Sequence, residues 1–360
     1  MRGQGVATGE EHGADGLVVA GVVNVRTLSG LLVVLLALCA ASGLLSLLSN
    51  TVAGESLMVV HRATGVALLL LVPWKVRIIL RSWRRRARRG VRTRRGLDAS
   101  SLVSGLGLGA FLASLSFGLA WAFALVPSVW IAGLNPLLLH WWLGAGLLPL
   151  LLWHLVARWP RPARHDFAGR RRLLAGLGGA ALATMGGTGL AWIATVAHPI
   201  GHRWTGSRHA GSFTGNAMPV TIFLADTVPD LDPAAWRLAV SGAVAGSLSL
   251  SLDALVALGQ ASRTATLDCT SGWYSTQAWS GVPLAAVLAA AGAASTRPVL
   301  VRSATGYVTV LTPGEIRSCL LATRIGGEKL AAEHGAPVRL VAPARRGWQW
   351  IKWVVAIEVI

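Results

Sequence analysis

The chain is short of cysteine, with three in 360 residues. That is too few for a disulfide framework, so any external domain must be held by its core. It is also short of acid, with 15 Asp and Glu against 33 Lys and Arg. No heptad pattern and no internal repeat is found, which argues against a coiled coil or a solenoid. A formal net charge of +18 would suggest a nucleic-acid partner if the cations were spread over a folded surface. They are not: eleven lie between Lys75 and Arg95 and six between Arg158 and Arg172, whereas from Ala197 onward thirteen Lys and Arg face nine Asp and Glu. The sequence therefore predicts no nucleic-acid partner. The basic excess reads as membrane topology, with contact to anionic membrane lipid.

What the chain has in quantity is apolar sequence, 53% of its residues. Crossing a bilayer takes about 20 apolar residues, and five runs are long enough: Leu28 to Leu48, Leu57 to Ile79, Ser100 to Leu125, Pro136 to Ala157 and Leu173 to Val196. Short loops rich in Lys and Arg stay on the cytoplasmic side. The two basic loops alternate with two connections, Ser49 to Ser56 and Val126 to Asn135, that contain neither residue. This pattern predicts a multi-pass plasma-membrane protein with a cytoplasmic N-terminus and an extracytoplasmic C-terminal domain. The expected division is a polar tail over 1–27, a five-span domain over 28–196, a linker and domain start over 197–220, and an external domain over 221–360.

Ionisable residues inside a span are costly, so each is a candidate for function. His61 lies a few residues into the second run and His140 a few residues into the fourth, both entering from outside, so the two share one depth. Imidazoles on facing helices can hold a haem iron from both sides. The competing reading is that each only hydrogen-bonds a neighbouring helix or anchors at the interface. We expect ligation of one haem b by this pair. Arg62 would then meet a haem propionate, or else simply snorkel. His154, fourteen residues beyond His140, lies about 21 Å further along and within about 40° of the same face. Its counterpart at that depth is Lys75 rather than a histidine, which leaves a quinone pocket, an unusual second haem and plain packing all open. Gly105, Gly107 and Gly109 read as packing positions.

Cys39 in the first run and Cys319 in the external part read as small core residues. Cys269 instead follows the strand-like "TATLD" and precedes the turn "TSGW". A thiolate at a strand-to-loop corner suits metal ligation, although a half-buried free thiol or a disulfide to Cys319 fits as well. The longer pattern narrows this. "TLDCTSGWYSTQAWSGVPLAAVLAAAG", "SATGYVTVL", "CLLATRIGGEKLAAEHGAPVRLVAP" and "GWQWIKWVVAIEV" follow one another, and this order resembles the α+β molybdopterin-binding domain of the sulfite oxidase superfamily from about Thr221 to Ile360. The resemblance implies molybdenum bound by Cys269. It also implies pterin and phosphate contacts from His334, Arg339 and Lys352, cationic groups that suit an anion. The expected fold class is thus a five-helix transmembrane bundle followed by that α+β domain.

The departures bear on substrate. Where sulfite oxidases carry arginines after the cysteine, this chain has Trp273 and Tyr274, and Thr323 stands in place of a tyrosine. "CTSGW" looks more like the periplasmic methionine sulfoxide reductase branch, whose catalytic subunit works with a separate haem membrane protein. The expected activity is therefore a molybdopterin-dependent oxidoreductase passing electrons from quinol through haem to molybdenum, with a small S- or N-oxide as substrate. The alternatives are sulfite oxidation using Arg302 or Arg324, and a cofactor-free binding module. The stretch "GHRWTGSRHAGSFTGNAMPVT" could cradle the cofactor or act as a linker; His202 and His209 are not expected to be ligands. In the resembled family the cofactor is inserted in the cytoplasm, so the domain would be exported folded. Gly169, Arg170, Arg171, Arg172, Leu173 and Leu174 fit a twin-arginine signal placed inside the chain.

Overall fold

The computed structural model describes residues 25–93, 99–122, 125, 135–158, 178, 186, 189, 201–209, 215–222 and 226–360. Four long helices come first: α1 (Val25–Ser46), α2 (Val52–Thr93), α3 (Ala99–Ala122) and α4 (Pro136–Arg158). Each contains a window long and apolar enough to cross a membrane, so the described residues supply four candidate spans. The expected fifth, residues 173–196, and the arginines at 170–172 fall outside the described residues.

Helix α2 differs most from its expected span. It continues past Ile79 to Thr93, and its 42 residues at about 1.5 Å each reach about 63 Å, twice a hydrocarbon core of about 30 Å. The reason is local: arginine is a good helix former, so the polar end carries on the helix that the apolar segment began. Pro73 within α2 and Pro149 within α4 do not end their helices, as is common for helices in a lipid setting.

Helices α1 and α2 form one hairpin and α3 and α4 another. Leu35, Ala67 and Leu68 fill the first seam, with Phe111 of α3 packed against them. Much of the remaining apolar surface, including Val34, Leu38, Leu106 and Leu152, is exposed.

The C-terminal part is built from two sheets. In the first, β5 (Trp273–Pro283) lies between β1 (Arg208–His209) and β8 (Leu320–Ile325), β10 (Arg339–Val341) follows β8, β4 (Ala261–Asp268) also pairs with β5, and β9 (Glu328–Lys329) pairs with β8. The second runs β3 (Leu248–Leu250), β2 (Leu238–Gly242), β11 (Val354–Val359), β6 (Val299–Ser303) and β7 (Val308–Leu311). Strand β5 alternates inward Ser275, Gln277 and Trp279 with outward Thr276 and Ala278, the period of two that a half-buried strand requires. Trp279, Leu321, Leu340, Val301 and Ile357 belong to one continuous core. The antiparallel β4–β5 hairpin pairs Asp268 with Tyr274, and its connecting turn carries Cys269.

The loop ends of both helical hairpins rest on this domain. Asn50 donates its backbone N–H to Ala344 O (2.9 Å) and its Nδ2 to Pro343 O (3.2 Å), while Trp348 Nε1 donates to Leu47 O at 2.7 Å. From the second hairpin, Trp121 Nε1 donates to Gly206 O at 2.8 Å and Asn135 Nδ2 to Ser271 O at 2.6 Å. Arg208 reaches back to Trp121 O at 3.0 Å, its guanidinium 3.8 Å from the centre of the Trp121 ring.

Candidate functional site

Cys269 begins a tight turn. Its N–H donates to Trp273 O (2.9 Å), and Gly272 N–H returns to Cys269 O (3.1 Å). Gly272 has φ +97°, and a Cβ there would lie 2.7 Å from the Trp121 ring. Glycine is thus needed both for the backbone and for the approach of the helical unit. Cys269 Sγ lies 3.0 Å from Ser271 Oγ and 3.6 Å from Thr221 Oγ1. All three cysteines are free thiols, and burial pushes the Cys319 thiol up to about 12.

Behind the thiol, Asp268 is fully buried. Its carboxylate accepts from Arg203 Nε (2.8 Å), Thr205 Oγ1 (2.8 Å) and Ser207 Oγ (2.6 Å), and pairs with Arg346 Nη2 at 3.2 Å. Arg346 is 2% exposed, and its Nη2 also faces Cys269 O at 3.5 Å. A Cβ on the next residue, Gly347, would sit 3.1 Å from Asp268 O, so this loop presses directly on the cysteine backbone.

The three residues expected to meet a pterin converge beside this turn. His334 is buried, and its Nε2 hydrogen-bonds Asn216 O at 3.0 Å. Arg339 donates Nη1 to His334 O at 3.0 Å. Lys352 Nζ donates to Glu333 O (2.7 Å) and Thr221 O (3.1 Å), so Thr221 joins the lysine to the cysteine. Trp353 holds φ +52°, rare for a non-glycine residue, with Nε1 bonded to Ala332 O at 2.7 Å. Backbone strain of this kind gathers at functional sites.

The charges in this cluster are poorly compensated. Burial holds His334 below its ordinary range, with Arg339 and Lys352 adding to the shift. Burial lowers Arg339 to about 10; burial and the neighbouring Arg339 lower Lys352 to about 8. His334 Nδ1, Arg339 Nε and Arg346 Nη1 are buried with no partner. Buried polar atoms are as a rule satisfied, so these three open positions and the cationic set fit a group carrying phosphate and many heteroatoms. The molybdopterin cofactor is such a group.

His334, Arg339 and Lys352 were legible in the motif; Arg346, Asp268 and Arg203 were not. The upstream stretch "GHRWTGSRHAGSFTGNAMPVT" contributes to the site: β1 joins the sheet, Thr205 and Ser207 hold Asp268, and Asn216 and Thr221 line the cluster. His202 bridges to Arg208, and His209 packs on Tyr274. Arg302 is exposed on β6, and exposed Arg324 donates to Gly327 O.

In the helical unit, the His61 and His140 rings lie edge to face with centroids 5.9 Å apart, so the structure brings the expected pair together. Their surroundings repeat. His61 Nδ1 is 2.8 Å from Cys39 O, and His140 Nδ1 is 2.7 Å from Ser114 O. Four residues beyond each of these carbonyls stands a glycine, Gly43 or Gly118, where a Cβ would come within 2.8 Å of the same Nδ1. The two hairpins thus present one local arrangement twice, although no repeat is visible in the sequence. A carbonyl only accepts, so each Nδ1 carries the hydrogen. In a neutral ring that leaves the Nε2 lone pair open, the usual arrangement behind a metal-bound histidine. Among the described residues no cluster of three or more His, Cys, Asp or Glu forms a metal cage. His154 lies on α4, and Lys75 Nζ donates to Ser29 Oγ at 3.2 Å.

An α+β domain with a buried cationic cluster around a turn cysteine defines a cofactor-binding oxidoreductase unit. Residues 225–360 match the family model described as "Oxidoreductase molybdopterin binding domain", and this part of the chain is a molybdopterin-binding oxidoreductase domain of the sulfite oxidase type. Similar proteins include one from Azospira oryzae provisionally named protein-methionine-sulfoxide reductase subunit YedZ1, 31% identical over 37% of this chain and 52% of that protein. The protein-methionine-sulfoxide reductase catalytic subunit MsrP of Xanthomonas campestris is 33% identical over 35% of this chain and 45% of its own length. Mitochondrial sulfite oxidase of Rattus norvegicus is 31% identical over 41% and 32%. The chain thus spans between about a third and about half of these relatives' lengths.

Proposed function

We propose that the chain is a membrane-anchored molybdopterin oxidoreductase. It reduces a small S- or N-oxide outside the plasma membrane with electrons that leave a membrane quinol and pass a haem b between His61 and His140. The observation that carries this reading is the placement of the histidine pair, each Nδ1 held by a backbone carbonyl, near the helix ends that dock on the Cys269 turn. The arginine-rich end of α2 lies at the far end of the same hairpin, which supports a cytoplasmic N-terminus by charge. Likeness to a catalytic subunit of methionine sulfoxide reduction supports the substrate class.

When bound, the molybdenum cofactor supplies two-electron oxygen-atom transfer and the haem supplies single-electron relay. The residues supply everything else. Cys269 provides the thiolate ligand, and the Arg346 guanidinium, facing the Cys269 carbonyl, fixes the turn. His334, Arg339 and Lys352 receive the anionic pterin. Trp273 Nε1 donates to Thr221 Oγ1 at 3.2 Å, which keeps the indole beside the thiol, where a neutral oxide is better suited than sulfite. The arginines at 170–172 act as an internal twin-arginine signal for export of the folded domain. Changing all three to lysine should leave residues 201–360 in the cytoplasm, as read by protease access to spheroplasts; normal export refutes that role.

The main test uses purified protein and a screen of sulfoxides, N-oxides and sulfite. Cys269→Ser should lower turnover by at least about a thousandfold while the haem absorbance stays intact. His61→Ala or His140→Ala should remove that absorbance. Turnover that survives Cys269→Ser, or native protein without molybdenum, overturns the proposal.

A further inference from the structure

Each histidine of the pair is joined to the same cysteine by a short run of covalent and hydrogen bonds. Next to His61, Arg62 donates Nη2 to Trp204 O at 2.8 Å; the adjoining Arg203 donates Nε to the Asp268 carboxylate at 2.8 Å, and Asp268 precedes Cys269. From His140, one turn of α4 leads back to Asn135, whose Nδ2 donates to Ser271 O at 2.6 Å; Ser271 Oγ stands 3.0 Å from Cys269 Sγ.

We infer that the Asn135–Ser271 and Arg62–Trp204 contacts are the electronic splice between the histidine pair and the Cys269 turn, with Asn135 as the principal positioning residue. This rests on the function proposed above. Electronic coupling decays less steeply along bonds than across a gap, so bonded routes of this length favour transfer inside one chain over transfer by encounter of two proteins. The electron balance is simple. A quinol gives up two electrons and two protons to become a quinone; the electrons pass singly along the chain; a sulfoxide takes two electrons and two protons to give a thioether and water.

Asn135 has two separable roles. Its Oδ1 accepts from Leu138 N–H at 2.9 Å and so caps α4, while its Nδ2 alone reaches Ser271. Asp and Ser both cap helices well, yet neither can make that donation: Asp has no donor and Ser is too short. Asn135→Asp and Asn135→Ser therefore remove the principal arm of the splice and keep the cap.

The experiment uses full-length protein in detergent, reduced with a quinol analogue and mixed rapidly with methionine sulfoxide while the haem band is followed. Both variants should reoxidise the haem severalfold more slowly, because a gap then replaces the bonded contact between Asn135 and Ser271. The haem spectrum and turnover driven by a viologen that reduces the external domain directly should match the parent. Independently of activity, hydrogen exchange at the Gly272 amide should quicken as the turn loosens. Haem reoxidation at the parent rate in both variants overturns the inference, as does an equal fall in viologen-driven turnover. A parent protein lacking any haem band overturns the proposed function itself, a distinguishable failure.

Discussion

The helical unit and the C-terminal domain hide their apolar residues by different means. The C-terminal domain buries Trp279, Leu321, Leu340 and Ile351 to 2% exposure or less, in one core that two sheets share. The helices leave Leu38, Leu106 and Leu152 open and reserve tight contact for a few positions, such as Ala67 and Leu68. In water the second arrangement would cost far more than a small protein's stability; against lipid it costs nothing, because association there does not rest on the hydrophobic effect. The same difference governs polar groups. In the C-terminal domain they form a dense network around Cys269, whereas in the helices they are paired one by one, as His61 with Cys39 O and His140 with Ser114 O. Ionisable groups inside the helices are scarce enough that each is a candidate for function.

The sharpest way to break this comparison is to damage one core and watch the other unit. Trp279→Ala should destabilise the C-terminal domain by about 3–5 kcal/mol, measured by denaturant unfolding, while the haem absorbance stays put. Asp268→Asn comes next, at about 3 kcal/mol, since it leaves the buried Arg346 charge short of its partner; a change below 1 kcal/mol would mean the network is already wet. A subtler effect is one of pH. Lys352 titrates at about 8 in the fold against about 10.4 in an unfolded chain. Between those values the unfolded state binds more protons, so the cofactor-free protein should gain stability as pH rises across that window. Melting curves at successive pH values should show the gain, inorganic phosphate should flatten it, and Lys352→Met should lack it. The smallest change is expected from Leu38→Ala, under about 1 kcal/mol by thermal loss of the haem band, because that side chain meets an apolar solvent in either state.

What could be read from the sequence follows the same division. Long apolar runs and Arg-rich loops are local signals, so the four described spans were visible, with only the reach of α2 misjudged. The Cys269 segment and the His334, Arg339 and Lys352 positions were readable because their neighbours form a contiguous motif. Arg346 was hidden: in "APARRGWQW" it looks like any loop arginine, and only the return of that loop onto Asp268 buries it. Arg203 and Asn135 were hidden for the same reason, as their partners lie 65 and 136 residues away. The duplicated setting of the two histidines was out of reach as well: a backbone carbonyl leaves no mark in the sequence, and nothing distinguishes Gly43 and Gly118 from the other glycines of the helices until they meet histidines on a neighbouring helix.

Leu47 directly follows α1, where the carbonyls at a helix end run out of donors. The indole of Trp348 supplies one, 301 residues along the chain. A membrane subunit made as a separate protein would leave that carbonyl to water, which comes and goes freely. Here the end of the first helix is finished by a side chain of the C-terminal domain, so the last bond of the helical unit forms only when the two parts have docked.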